Sequence, residues 1–127
     1  MSDTAATVLV VDDDEFTAEL TGMILESAGF GVVIAEGGMD AMEKIAAASI
    51  DIVVSDMNMP FIDGIQLFGE LRESGYNQPF VLITGEDAEP LRLAHPDITA
   101  VLTKDEHLQD VLPGLLESLL AGGSREI

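Results

Sequence analysis

The chain has no cysteine, which excludes a disulfide framework, a zinc–thiolate site and a thiol nucleophile. Positive charge is almost as scarce: Lys44, Arg72, Arg92, Lys104 and Arg125 face 24 Asp and Glu, for a formal net charge of −19. Nucleic acid and anionic membrane both require cationic patches that displace counterions, so neither is expected as a partner. Excess carboxylate favours cations, metal and basic protein surfaces instead. No stretch approaches the roughly 18 consecutive apolar residues of a membrane span. The small, acidic start from Met1 to Thr7 has neither the basic nor the apolar region of a secretory signal. A soluble, cytoplasmic protein is expected, without internal repeat, low-complexity tract or interdomain linker.

What is present suffices for one domain. The chain has 127 residues, 47% of them hydrophobic, and single domains commonly run to about 100–150 residues. We expect a disordered N-terminal segment over 1–7, the folded domain over 8–120, and a flexible tail over 121–127 containing Gly122, Gly123 and Ser124. A DNA-binding or enzymatic output domain has no room, so a stand-alone domain is the expectation.

Runs rich in Val, Ile and Leu recur at 8–11, 31–35, 50–54, 80–83 and 99–102. Near-continuous apolar runs mark strands buried on both faces. Between them lie helical spacings. The first places Phe16, Leu20, Met23, Ile24 and Ser27 on one face and closes at Gly29; the second carries Met42, Ile45 and Ala46. The third joins Ile65, Phe68 and Leu71, and the last shows Leu108, Val111, Leu112, Leu115, Leu116 and Leu119. Five strands alternating with helices predict an α/β fold: a doubly wound parallel sheet with helices on both faces. Pro90 and Pro96 predict a short or irregular helix between Thr84 and Thr99, and Pro113 before Gly114 predicts a kink in the last helix.

Open parallel sheets bind ligands beyond the carboxyl ends of their strands, where strand order reverses. The residues at those ends are Asp12, Asp13 and Asp14; Ser55 and Asp56; Thr84; and Thr103 and Lys104. Clustered carboxylates repel one another, and a bound cation relieves the repulsion. With an all-oxygen ligand set, and His95 and His107 elsewhere, Mg²⁺ fits better than zinc or copper. A carboxylate can itself attack phosphorus, with a metal, an ammonium and a hydroxyl stabilising the transferring group. Plainer roles also exist: Asp14 reads as a helix N-cap, Thr84 could cap the following helix, and Lys104 could be a solvated strand-end charge. Lys44, His95 and His107 read as surface residues, Met57 and Met59 as packing residues. Asp56 is followed by Met59 and Pro60 rather than by a capping sequence.

Taken in order, Val10-Val11-Asp12-Asp13-Asp14, Asp56-Met57-Asn58-Met59-Pro60 with Asp63-Gly64, Leu82-Ile83-Thr84-Gly85 and Leu102-Thr103-Lys104 resemble the receiver domain of bacterial response regulators, over nearly the whole chain. The resemblance implies a flavodoxin-like, five-stranded sheet in the order 2-1-3-4-5 with five helices. It implies that Asp56 is the phosphoacceptor, taking phosphate from a sensor histidine kinase or a histidine phosphotransfer protein. Asp13 and Asp56 would hold Mg²⁺ with the backbone carbonyl of Asn58, and Asp12 partly through water. Lys104 would pair with Asp56 and then with the phosphoryl group, which the Thr84 hydroxyl would also bond. The side chains of Asn58 and Glu86 would influence hydrolysis of the phosphoaspartate, Gly85 would leave access open, and Gly64 would support the turn that places Pro60. Two residues depart from the pattern. Val101 stands where the family usually has the Tyr or Phe of its switch, and a β-branched aliphatic has no comparable rotation to signal with. Asp105 stands where the family usually has a cis-bonded Pro, so a trans turn and a repositioned Lys104 are expected.

Three functions compete. The first is a stand-alone phosphoacceptor switch, a monomer or weak dimer that is not a conventional enzyme and signals to a downstream protein by contact or onward phosphotransfer. The second, motivated by Val101 and Asp105, is a receiver-like interaction module acting largely independently of phosphorylation. The third is a Mg²⁺-dependent phosphatase or phosphotransferase with an Asp nucleophile; such enzymes usually carry a second Asp two residues on, where this chain has Asn58.

Overall fold

The structure is a computed structural model and describes residues 6–125. Five β-strands alternate with five helices: β1 (Thr7–Val11), α1 (Glu15–Ser27), β2 (Gly31–Ala35), α2 (Gly38–Ala47), β3 (Ile52–Asp56), α3 (Gly64–Glu73), β4 (Phe80–Thr84), α4 (Ala88–Ala94), β5 (Ala100–Thr103) and α5 (Leu108–Arg125). All pairings are parallel, in the order β2-β1-β3-β4-β5. Side chains alternate between the two sheet faces, and the core divides accordingly. Leu9, Val11, Val53, Phe80, Leu82 and Val101 pack with Leu67, Phe68 and Leu71 of α3. Val8, Val10, Ile52, Val54, Val81 and Ile83 pack with Ala18 and Leu25 of α1 and Leu112 and Leu116 of α5.

Helix starts follow local hydrogen-bonding chemistry. Asp14 caps α1, accepting from the backbone N–H groups of Phe16 and Thr17. Asp63 and Gln66 form a reciprocal capping box at α3, satisfying two otherwise orphaned donors. Asp87 caps α4, and Pro90 falls in that helix's first turn, where its missing N–H leaves no helical bond unmade. With His95 closing α4 ahead of Pro96, the helix is as short as the prolines predict. Helix α5 runs through Pro113 rather than ending there.

Several boundaries and one face differ from the sequence expectation. Strand β3 covers Ile52–Asp56 rather than 50–54, so Asp56 ends the strand instead of following it. Helix α5 continues past Leu120 to Arg125, so the start of the expected flexible tail is helical; residues 1–5, 126 and 127 lie outside the described residues. On α1 the predicted face is largely the outer one: Phe16 is 74%, Met23 62% and Leu20 41% exposed. The buried residues are Ala18, Gly22 and Leu25, which share the same helical spacing. Size decides between the faces. A Cβ on Gly22 would lie 3.3 Å from Val32 Cγ1, so α1 approaches the sheet closely through its small residues and leaves its bulky ones outside. Among the described residues, no helix is long and apolar enough to cross a membrane.

Candidate functional site

Strand order reverses between β1 and β3: β2 lies on one side of β1, and β3, β4 and β5 on the other. A crevice therefore forms at the carboxyl ends of β1 and β3. Register sets its contents. Val10 pairs with Val54 and Val11 with Ser55, which brings Asp12 and Asp56, one position further along, to the same edge. Both lie two residues beyond side chains of the α1/α5 face (Val10 and Val54), and period two keeps them on that side. Lys104 follows Leu102 of the same face and closes the crevice from β5.

Carboxylate oxygens of Asp12, Asp13 and Asp56 lie within 4.8 Å of one another. The Lys104 Nζ donates to Asp56 Oδ1 at 3.1 Å and lies 3.9 Å from Asp12 Oδ2. Asp12 and Asp56 are largely buried, whereas Lys104 and Asp13 reach solvent. Burial, helped by the charges of Asp56 and Asp13, raises the pKa of Asp12 above the ordinary carboxylate value; the N–H of Asp14 and the Lys104 ammonium oppose the shift. Three carboxylates against one ammonium leave an uncompensated negative site made entirely of oxygen donors. That donor set fits a hard divalent cation such as Mg²⁺, with Asp12, Asp13 and Asp56 able to hold it.

Of the remaining predicted residues, Thr84 and Asn58 follow the carboxyl ends of β4 and β3 at this edge, whereas the others take structural places. Thr84 ends β4 and is 2% exposed; its Oγ1 accepts from the Glu86 N–H at 3.1 Å, and its carbonyl from the Lys104 N–H at 2.7 Å. Asn58 is exposed and follows Met57, whose N–H donates to the Ile83 carbonyl and whose carbonyl accepts from the Gly64 N–H, each at 2.8 Å. Gly64 is required by space: a Cβ there would lie 2.6 Å from the Asp56 carbonyl oxygen and collide with Leu82 Cδ1. Met59 is buried and Met57 packs against the same core, as packing residues should. Lys44 is bound to Asp40 and to the Ile34 carbonyl. His107 is exposed, and His95 caps the end of α4.

The two departures have structural answers. Asp105 Oδ1 accepts from the His107 N–H at 2.9 Å, an Asx turn that shapes the entry to α5 without a proline. No cis peptide is present among the described residues, and Lys104 still meets Asp56. Val101 is buried at 2% exposure, and its carbonyl accepts from Arg92 at 2.8 Å. Thr103, in register with Thr84, accepts the Ala88 N–H at 3.2 Å. Sequence reasoning missed these α4–β5 ties. The signal for Arg92 is that one of the chain's five Lys and Arg falls in so short a helix.

Residues 8–113 match the family model of the response regulator receiver domain. The chain is 36% identical over 114 residues to the response regulator MprA of Mycolicibacterium vanbaalenii, covering 90% of this chain and 47% of that relative. It is 36% identical over 90 residues to the transcriptional regulatory protein GlrR of Escherichia coli, covering 71% of this chain and 20% of that relative. The chain thus spans half or less of the length of these curated relatives. Among solved structures, the response regulator TrrA of Thermotoga maritima, in complex with Mg²⁺ and BeF, aligns with a TM-score of 0.81 at 27% identity, covering 90% of this chain and 98% of that one. The chemotaxis protein CheY4 of Vibrio cholerae aligns with a TM-score of 0.82 at 27% identity, covering 91% and 99%.

Proposed function

Because the chain belongs to the response regulator receiver domain family, we propose that it accepts a phosphoryl group on Asp56 from a phosphohistidine, on a sensor kinase or a phosphotransfer protein. The observation that carries this reading is the Asp56 carboxylate itself, 3.1 Å from the Lys104 ammonium and grouped with Asp12 and Asp13. An Asp56 oxygen attacks phosphorus, the P–N bond breaks, and the imidazole nitrogen leaves with the electron pair. Lys104 orients the carboxylate and then balances the phosphoryl oxygens. The Thr84 hydroxyl, whose oxygen accepts from the Glu86 N–H, donates its proton to a phosphoryl oxygen. Asp13, Asp56 and the Asn58 carbonyl, with Asp12 partly through water, would hold Mg²⁺, which would supply neutralisation of the charge on the transferring group. The signal passes to a downstream protein by contact or by onward phosphotransfer.

Intact-mass measurement after incubation with Mg²⁺ and a phosphodonor tests this. The wild-type chain should gain one phosphoryl group and Asp56→Asn none; a gain that persists in Asp56→Asn overturns the assignment. Asp13→Ala should weaken Mg²⁺ binding strongly, and an unchanged metal titration removes Asp13 from the ligand set.

A second reading is favoured by Val101, which is buried and aliphatic: a module that binds its partner in the unmodified form. The two readings separate on whether beryllofluoride changes partner affinity.

A further inference from the structure

Negative charge is concentrated around the mouth of the Asp56 crevice. Asp13 and Glu15 follow β1, Glu36 follows β2, Glu86 follows β4, and Asp105 and Glu106 follow β5; all are exposed. The cations among the described residues offset them only in part: Lys44 lines the same concavity as Asp12, Asp13, Glu15 and Glu36, paired there with Asp40. Arg92 is held by Glu89 and the Val101 carbonyl, and Arg72 by the Tyr76 carbonyl and the Phe68 ring. Lys104 lies 3.1 Å from Asp56 and 3.9 Å from Asp12 inside the crevice; with the Mg²⁺ that the three carboxylates would hold, it leaves the crevice itself close to neutral, so the excess charge lies on the rim. Beside this rim runs the exposed apolar strip of α1, Phe16, Leu20 and Met23, flanked by exposed Glu15, Glu19 and Glu26.

Resting on the phosphoacceptor reading above, we infer that the crevice selects its phosphoryl donor by charge. It discriminates against free anionic phosphodonors such as acetyl phosphate and takes phosphate from a protein whose docking surface is rich in Lys and Arg. A small anion entering this field is repelled before any contact can compensate, whereas a cationic surface is attracted. Fields of this kind change association rates by roughly 10- to 1,000-fold at low salt. With acetyl phosphate the step itself is unchanged in kind: an Asp56 oxygen attacks phosphorus, the P–O bond to the acetyl group breaks, and acetate leaves with the electron pair.

The test is the initial rate of phosphorylation of the full chain by acetyl phosphate at saturating Mg²⁺, with ionic strength varied from about 0.02 to 0.3 M, a range over which the screening length falls to a few ångströms. The rate should rise at least about threefold as salt screens the repulsion. A rim variant, Glu15→Lys/Glu36→Lys/Glu106→Lys, should raise the low-salt rate by a similar factor and flatten the salt dependence. A distal variant with the same change in net charge, Glu70→Lys/Glu73→Lys/Glu117→Lys, should leave both near wild type. A phosphohistidine peptide flanked by lysines should lose rate with added salt and outperform the same peptide flanked by glutamates. A rate that is flat or falling with salt for acetyl phosphate, a distal variant that matches the rim variant, or equal rates for the two peptides overturns the inference. Absence of phosphorylation from every donor at every ionic strength overturns the phosphoacceptor reading itself, a result distinct from those three.

Discussion

Replacing Gly64 with alanine should destabilise the protein and impair the acceptor together. The added Cβ would lie 2.6 Å from the Asp56 carbonyl oxygen and 3.1 Å from Met57 Cα, and would collide with Leu82 Cδ1. The Leu82 methyl can swing aside. The Asp56 carbonyl cannot, because it belongs to the backbone of β3, which is paired with β4 and held just beyond by the Met57–Ile83 bond. Overpacking of this kind costs about 1–3 kcal/mol, against which alanine's helix preference returns at most about 1 kcal/mol. A net loss near 1–2 kcal/mol lowers the melting temperature by roughly 3–10 °C in a domain of this size. Gly69, inside the same helix, supplies the control: a Cβ there meets nothing within 4 Å. Gly69→Ala should therefore stabilise by up to about 1 kcal/mol and leave phosphorylation unchanged. Urea unfolding followed by circular dichroism measures both, with phosphorylation rates taken on the same samples. A Gly64→Ala protein as stable as wild type, or two variants shifted alike, would mean that this position accommodates a Cβ.

Other predictions follow from burial and charge. Asp12 holds its proton more tightly in the folded chain than in the unfolded one, first because of burial. Stability is therefore lost as pH rises above the ordinary carboxylate range, and ionised Asp12 costs stability at neutral pH. Asp12→Asn keeps an oxygen acceptor for the Asp14 N–H, so it should raise the melting temperature of the metal-free protein at pH 7 and lose that advantage below about pH 3.9; equal shifts at both pH values contradict the sign. On α1, Phe16→Ser should change stability by no more than about 0.5 kcal/mol, whereas Leu25→Ala, at a fully buried position, should cost about 2–4 kcal/mol. Chemical denaturation of the two variants checks which face is core. Tyr76→Phe removes the hydroxyl that donates to the Ile50 carbonyl at 3.0 Å and should cost about 1 kcal/mol in the same assay, without altering phosphorylation.

Much of this molecule is legible in its sequence, for identifiable reasons. The apolar runs locate the strands because both faces of a parallel sheet are covered, although Ser55, polar yet fully buried, ends the third run at 54 and hides the last two residues of β3. Asp12, Asp56, Thr84 and Lys104 are legible because strand ends are where an open parallel sheet exposes its chemistry. Strand order was not legible from periodicity and came with the family resemblance. The face of α1 was misread because Ala18, Gly22 and Leu25 repeat with the same period as Phe16, Leu20 and Met23, and hydrophobicity alone ranks the larger set higher. Close approach to Val32 reverses that ranking, and it is a tertiary fact. The ties from Arg92 to Val101 and from Thr103 to Ala88 were hidden for a similar reason: each joins residues from different elements through a backbone group, which carries no sequence signal. The trans turn at Asp105 is legible from the missing proline, but not that the Asp105 side chain makes the turn itself.

The proposal that phosphorylation of Asp56 switches this domain is tested most directly by amide NMR spectra of the full chain with Mg²⁺, recorded before and after addition of beryllofluoride. Mg²⁺-dependent shifts should begin at Asp12, Asp13 and Asp56, pass through Thr84 and Glu86 as the Thr84 hydroxyl turns to the bound group, and reach Ala88, Arg92 and Val101. Spectra that do not change around Asp56, or that change equally without Mg²⁺, would contradict the proposal.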